Sequence, residues 1–524
     1  MQVVDFRALD GPNWFRLEPV IKIGLALDPT EDRDSIFESV SERIRLAHNV
    51  VKEDAPWVTL HETDPPDECV VAFDWKWRSF AVGAARFALD ESLAVEDTDA
   101  YEELRQRLEE DRHSDDTPEW VRDSERTVRA AGVTGTNGKT TTTRLLAHIA
   151  QQAGRSVGWS SSTGVYINGE AVLEGDYSGP SGARRVLLDP EVEIGILETA
   201  RGGLLLRGLA YESNDVGIFL NISADHLSLH GVERIETLAV VKSVVVRVTR
   251  PDGLVVLNAD DPIVLNYAEA VRAPVMLISQ HPDADPVRQH IERGLPVVVR
   301  ESDNIVLYRD RERTAITNLS DVPVTFGGAA PFMVENALAA TGGAIGLGFD
   351  LSQIVSGLAT FRNDSHSNKG RLNIFDVDGK IVIVDYAHND IGLAGLAKFS
   401  RNVSTPDAKL HLVVGTAGDR RDEDFLALGR LAGDLSDVVY LKDTPGYLRG
   451  RARGDMPELM RQGFSASNGP AVLAGDFGDE MTAFLAALDN SAPGDVIAVM
   501  SQSDQDRLIG DIRNRGGQEW GETG

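Results

Sequence analysis

From about residue 127 the chain alternates short, nearly continuous apolar runs with longer mixed stretches. "TVRAAGV", "EIGILET", "DVGIFLNIS", "GLVVLNAD" and "PVMLIS" carry too little polar alternation for half-exposed strands. They read as strands of a parallel sheet covered on both faces. The helix-length segments between them predict βαβ units, hence an α/β fold. A second series, "KIVIVDYAH", "KLHLVVG", "DVVYLKD" and "DVIAVMSQS", predicts a separate α/β domain over residues 370–524, after a central domain over 127–369. Residues 1–105 lack that rhythm and hold four of the seven tryptophans, Trp14, Trp57, Trp75 and Trp77, which suggests a small α+β domain. The stretch "RQRLEEDRHSDDTPEWVRDSER" is poor in apolar residues, so residues 106–126 read as a charged linker.

A length of 524 residues agrees with several domains rather than one core. The net charge of −30 argues against a nucleic-acid-binding protein, which needs a basic footprint. Only 10 of the 52 basic residues are lysines. No apolar run is long enough for a membrane span, and "MQVVDFRALDGPNWF" lacks the plan of a signal peptide. The single cysteine, Cys69, excludes an internal disulfide framework. The cytoplasm is the expected compartment, with no membrane partner.

Chemistry enters with "AAGVTGTNGKTTTTRLLAHIA", Ala130 to Ala150. An apolar strand runs into Gly135, Thr136, Asn137 and Gly138, and Lys139, Thr140 and Thr141 open a helix. Glycines permit the turn, helix N–H groups and dipole attract an anion, and the Lys139 ammonium adds charge for β- and γ-phosphates. The Thr140 hydroxyl is placed to meet Mg²⁺. Two features are odd. The glycine that usually opens such a loop is Val133, and the run Thr140 to Thr143 is poor helix-forming sequence.

"TGTNGKTT" resembles the phosphate loop of the Mur ligase family, whose loop does not start with that glycine. The likeness extends through "ILETARGGLLLRGL", "LNISADHLSLHG", "LNADDP", "DYAHN" and "GDRRDED", in the family's order over roughly 127–510. Within the family the chain most resembles the Mur-ligase half of the cyanophycin synthetases. Their ATP-grasp domain is missing; only the charged stretch 106–126 stands in its place. "LDGPNWFRLEPVIKIGL" resembles the same enzymes' N-terminal domain.

The resemblance implies a site. Glu198, ending the strand "EIGILET", and His226, after "LNIS", match Mg²⁺ ligands. Carboxylate oxygen at a strand's C-terminal end suits a hard cation. Lys242 lies on the helical face of Ile235 and Leu238 inside the apolar run Leu238 to Val246, where a bare ammonium is costly. The family's matching lysine is carbamylated and helps hold a second Mg²⁺. Asn336 matches an adenine-binding position, with Met333 where relatives often carry another Asn. Arg371 matches a hinge arginine that reaches ATP; Asp385 and His388 match residues that approach the γ-phosphate. Relatives often read "DYAHNP", whereas Asp390 replaces that proline here. Arg449 and Arg451 are candidates to grip a substrate carboxylate.

The implied activity is ATP-dependent carbon–nitrogen ligation with two Mg²⁺: a carboxylate becomes an acyl phosphate with release of ADP, and an amine or amino acid displaces phosphate. Two alternatives stay open, a nucleotide-binding module serving a separate ATP-grasp protein and a P-loop phosphotransferase. Homo-oligomerisation is open as well.

Overall fold

The computed structural model describes residues 1–63, 67–90, 98–112, 116–224 and 232–520. Three sheets organise it. The first is antiparallel, in the order Gln2–Leu9, Val20–Ala26, Glu68–Asp74, Val58–Glu62. Helices Arg33–Val50 and Arg78–Leu89 cover it through Val40, Ile44, Ala81 and Ala85, packed on Ile21, Ile23, Val71 and Phe73. The expected linker is not a free tether. Helix Thr98–Arg112 crosses its boundary and buries Leu108 against Phe80, Ala84 and Phe87. Further on, the Val121 N–H donates to the Ala210 carbonyl at 2.7 Å. Charge counting missed these isolated apolar anchors.

Among the described residues the central sheet has eleven strands. Its parallel heart runs Val297–Glu301, Val275–Ser279, Thr249–Asn258, Asn214–Phe219, Arg129–Thr134, Ile194–Glu198, Val157–Ser161. Arg129–Thr134 comes first in sequence but sits in the middle. The chain moves first to one side and later to the other, and the crevice at such a reversal binds ligands at the strands' C-terminal ends. Antiparallel hairpins extend both edges, Gly164–Ile167 with Glu170–Glu174 on one side and Asn304–Arg309 with Glu312–Asn318 on the other.

The third sheet places Val472–Phe477, Val438–Lys442, Leu410–Val414, Val496–Met500 and Lys380–Asp385 in parallel. Antiparallel Asn373–Val377 and Gln518–Glu519 close its edge. Helix Asp390–Asn402 of this unit meets the central one, with Phe399 and Phe326 rings 4.9 Å apart and Asn402 Nδ2 donating to the Ala329 carbonyl at 2.8 Å. Among the described residues no helix is long and apolar enough to cross a membrane.

Candidate active site

Strand Arg129–Thr134 delivers the chain to Gly135, and helix Lys139–Gln152 begins after Gly138. Gly138 takes φ +87°, and a Cβ there would lie 2.2 Å from Asn336 Oδ1. The position therefore demands glycine twice, for its left-handed backbone and for the close approach. The first turn of a helix leaves N–H groups without intrahelical partners, which suits an anion.

Three of the four hydroxyls in the threonine run meet polar partners; that of Thr143 is buried with no hydrogen-bond partner among the described residues. Thr140 Oγ1 lies 3.1 Å from Ser162 Oγ and accepts from Arg371 Nη2 at 3.3 Å. Thr141 Oγ1 accepts from Asn368 Nδ2 at 3.3 Å. Thr142 Oγ1 donates to Asn336 Oδ1 at 3.4 Å. Helix propensity has yielded to four tertiary contacts with three segments, around Ser162, around Asn368 and Arg371, and around Asn336.

Lys139 Nζ donates to the Thr136 carbonyl at 2.8 Å, curling over its own loop. Lys242, 5% exposed on helix Ile235–Arg247, sends Nζ to the Gly135 carbonyl at 2.6 Å. The lysine that the sequence put in an apolar run thus has its polar end on the phosphate loop. Glu198 ends strand Ile194–Glu198, is 3% exposed, and its Oε2 accepts from the Ser162 N–H at 3.2 Å. Ser162 therefore touches both Thr140 and Glu198 and brings two hard oxygen donors together, a set that fits Mg²⁺. His226 lies outside the described residues; among those described, no group of three or more His, Cys, Asp or Glu side chains is assembled for a metal.

The opposite wall comes from the last unit. Arg371 lies with its guanidinium 4.3 Å from the Tyr386 ring centroid. Asp385 accepts the Leu372 N–H at 2.8 Å and the Ala387 N–H at 2.7 Å, so it ties the hinge to the loop that carries His388. Burial pushes the Asp385 carboxyl up; Arg371 and those two N–H groups pull it back. His388 Nδ1 lies 3.2 Å from the Tyr386 carbonyl. Asn389 caps helix Asp390–Asn402 by accepting from Gly392 N–H and also donates to Asn137 Oδ1 at 3.4 Å. The loop and the last unit are thus in direct contact.

Several contributors escaped the sequence reading. Asn221 accepts the Asn137 N–H at 2.8 Å and donates to the Asn137 carbonyl at 3.3 Å and to Glu335 Oε1 at 2.7 Å. Burial drives the Glu335 carboxyl up to about 7, opposed by the Asn221 bond and reinforced by Asp260 and Asp261. Arg144, on the loop's own helix, is 7% exposed and donates to Thr163 Oγ1 at 2.6 Å and the Ser367 carbonyl at 3.2 Å. Burial pulls its guanidinium down from the usual arginine range. Asn221 stood within "LNISADH", but an asparagine beside a strand end carries no signal until its partners are known.

The two candidate carboxylate grips differ. Arg449 is exposed over the Tyr447 ring, 5.4 Å from its centroid. Arg451 is half-buried and bonded to the chain. Its guanidinium bonds the carbonyls of Gly418 at 2.9 Å and Arg420 at 2.6 Å and pairs with Asp422 at 2.8 Å. These three bonds engage Nε and Nη2 and hold the 418–422 turn.

Fold and site together define a phosphate-loop α/β protein whose loop is roofed by a second α/β unit. Two family models match the chain, the Mur ligase middle domain over residues 133–344 and the Mur ligase glutamate ligase domain over 370–503. The chain belongs to the Mur ligase family. It is 41% identical over 376 residues to cyanophycin synthetase of Crocosphaera subtropica, an alignment covering 72% of this chain and 42% of that protein. It is 29% identical over 399 residues to UDP-N-acetylmuramoyl-L-alanyl-D-glutamate–2,6-diaminopimelate ligase of Gloeobacter violaceus, covering 73% and 74%. The match thus spans 42% of the length of the cyanophycin synthetases. Among solved structures, E. coli FolC in complex with DHPP and ADP aligns with a TM-score of 0.55 and 18% identity over 74% of this chain and 89% of that one. MurF from Acinetobacter baumannii aligns with a TM-score of 0.52 and 18% identity over 74% and 77%. Both share the fold.

Proposed function

We propose that the protein is an ATP-dependent amide ligase that joins an amine or amino acid to a carboxylate. The observation that carries this reading is the convergence of Lys139, Thr140, Glu198, Lys242 and Arg371 around one glycine-turned loop, contributed by separate segments. The names of the relatives, cyanophycin synthetase and a diaminopimelate ligase, point the same way.

ATP phosphates would lie across Gly135 to Thr141, with Lys139 neutralising the β- and γ-oxygens and Asn336 at the adenine. A carboxylate oxygen attacks the γ-phosphorus and ADP leaves. The amine nitrogen then attacks the acyl carbon, phosphate leaves with the acyl C–O electrons, and the surplus amine proton is lost. Phosphoryl transfer asks chiefly for positioning and for charge opposite the equatorial oxygens. Arg371 and His388, from the other wall, meet that need. Thr140, Glu198 and His226 would hold Mg²⁺, which neutralises phosphate charge. Lys242 as a carbamate would offer oxygens to a second ion; as an amine it holds Gly135. No protein nucleophile is required.

The experiment is an ADP-release screen across amino acids and carboxylates, with mass spectrometry of the products. Substrate-stimulated ADP release with a conjugate one water lighter than its parts supports the ligase. Tight ATP binding without turnover supports a module that serves a separate ATP-grasp protein, and adding such a protein would then restore turnover. A phosphorylated but unconjugated product supports a phosphotransferase. Lys242→Ala is expected to abolish ligation, and bicarbonate to restore wild-type activity lost at low CO₂; a fully active alanine variant refutes the carbamate.

A further inference from the structure

The most deeply buried ion pair described in the molecule lies away from the phosphate loop. Lys442 ends strand Val438–Lys442 and Glu480 opens helix Glu480–Asn490; both side chains are 0% exposed and Nζ meets Oε2 at 2.8 Å. Glu480 also accepts the Ser501 hydroxyl and the Gln502 N–H, the latter at 3.1 Å. Such a pair is no bargain for stability, because desolvation of both ions offsets their attraction and an apolar pair of like volume serves as well. Its use must lie in what it orients.

Lys442 makes a second bond, to Gln502 Oε1 at 3.0 Å. An ammonium only donates, so it dictates which end of the Gln502 amide faces it. The amide's other end, Nε2, is thereby aimed at the Ala387 carbonyl, which it meets at 2.5 Å. The next carbonyl, of His388, accepts the Thr416 hydroxyl at 2.8 Å, and Thr416 is itself held by Arg420 Nε at 3.1 Å. Two successive carbonyls of the His388 loop are thus clamped from inside the sheet. Gly415 leaves room for the lysine stem, since a Cβ there would stand 2.6 Å from Lys442 Cγ.

We propose that Lys442 and Glu480, acting through Gln502, are positioning residues that hold the His388 loop against the phosphate site. The inference rests on the reading of His388 as a group that meets the transferred phosphoryl. It adds residues that never touch the substrate, whose charge acts by fixing one amide.

The test uses the full chain with two variants. Gln502→Met keeps the volume and removes the clamp. Lys442→Met/Glu480→Met removes both charges together, because either single change strands the other charge in the core. Hydrogen exchange is followed by mass spectrometry on peptides covering 385–391 and, as a control, 139–152, without substrate. Both variants are expected to exchange about tenfold faster in the first peptide and unchanged in the second. kcat is expected to fall about 10- to 100-fold with KM for ATP within about threefold. Wild-type exchange at 385–391, or equal acceleration throughout the last unit, overturns the proposal. So does wild-type kcat in both variants. If the wild-type protein shows no ligase turnover, the function falls, and the exchange data alone decide whether the clamp exists.

Discussion

Gly138→Ala tests the loop geometry from two directions. The backbone stands at φ +87° and ψ −14°, where an alanine costs about 1–2 kcal/mol relative to glycine. The new Cβ would lie 2.2 Å from Asn336 Oδ1, and Asn336, 3% exposed on a packed helix, can move only by giving up its bond from Thr142. That loss adds about 1 kcal/mol. The total is about 2–3 kcal/mol, or about 30- to 150-fold in an equilibrium constant. The loop either bears the strain, lowering stability by that amount, or relaxes and loses nucleotide affinity by up to the same factor. Urea unfolding without nucleotide and calorimetric titration with a non-hydrolysable ATP analogue measure the two parts, and their sum is what the geometry fixes. Asn336→Ser in the Gly138→Ala background is expected to recover about 1 kcal/mol in urea, since the clash goes and the φ strain stays. A Gly138→Ala protein with wild-type stability and affinity, or an Asn336→Ser change that gives no relief, refutes the reasoning.

Glu480→Gln leaves the Lys442 ammonium buried without its anion and is expected to destabilise the fold by about 3–5 kcal/mol, read as a lower urea midpoint at unchanged slope. Burial pushes the Glu335 carboxyl up to about 7 in the folded chain against 4.5 for a free carboxyl, so the folded state binds the extra proton between those values. Its contribution to stability is therefore full below pH 4.5 and is lost as pH rises through 7. Glu335→Gln should flatten that part of the stability–pH profile and be more stable than wild type at pH 8; an unchanged profile sinks the assignment. Glu198→Gln is expected to raise the Mg²⁺ concentration needed for half-maximal ADP release at least about tenfold, and a wild-type requirement counts against Glu198 as a ligand. Arg451→Ala should release the turn 418–422 and lower the melting temperature, whereas a normal melting temperature with a raised KM for the carboxylate restores Arg451 to substrate binding.

The sequence by itself determined the periodicity of the two parallel sheets and the phosphate loop. Continuous apolar runs such as "EIGILET" have few ways to hide their surface, and "TGTNGKTT" carries its geometry in its glycines and its charge in Lys139. It also marked Lys242 as an ammonium in need of an explanation. The antiparallel edge hairpins were not legible, because edge strands carry little continuous apolar signal. Only the tertiary structure decided where each polar group ends. The sequence presents Thr140 to Thr143 as a propensity fault, and the fold makes three of them contacts to three segments. It presents Arg449 and Arg451 alike, and the fold commits Arg451 to carbonyls of the 418–422 turn. It gives no reason to connect Lys442 with His388, 54 residues apart by their numbers, until Gln502 stands between them. Apolar burial is additive and written in local pattern. A hydrogen bond needs two particular atoms at one place and angle, and chain segments far apart in sequence supply them only after folding.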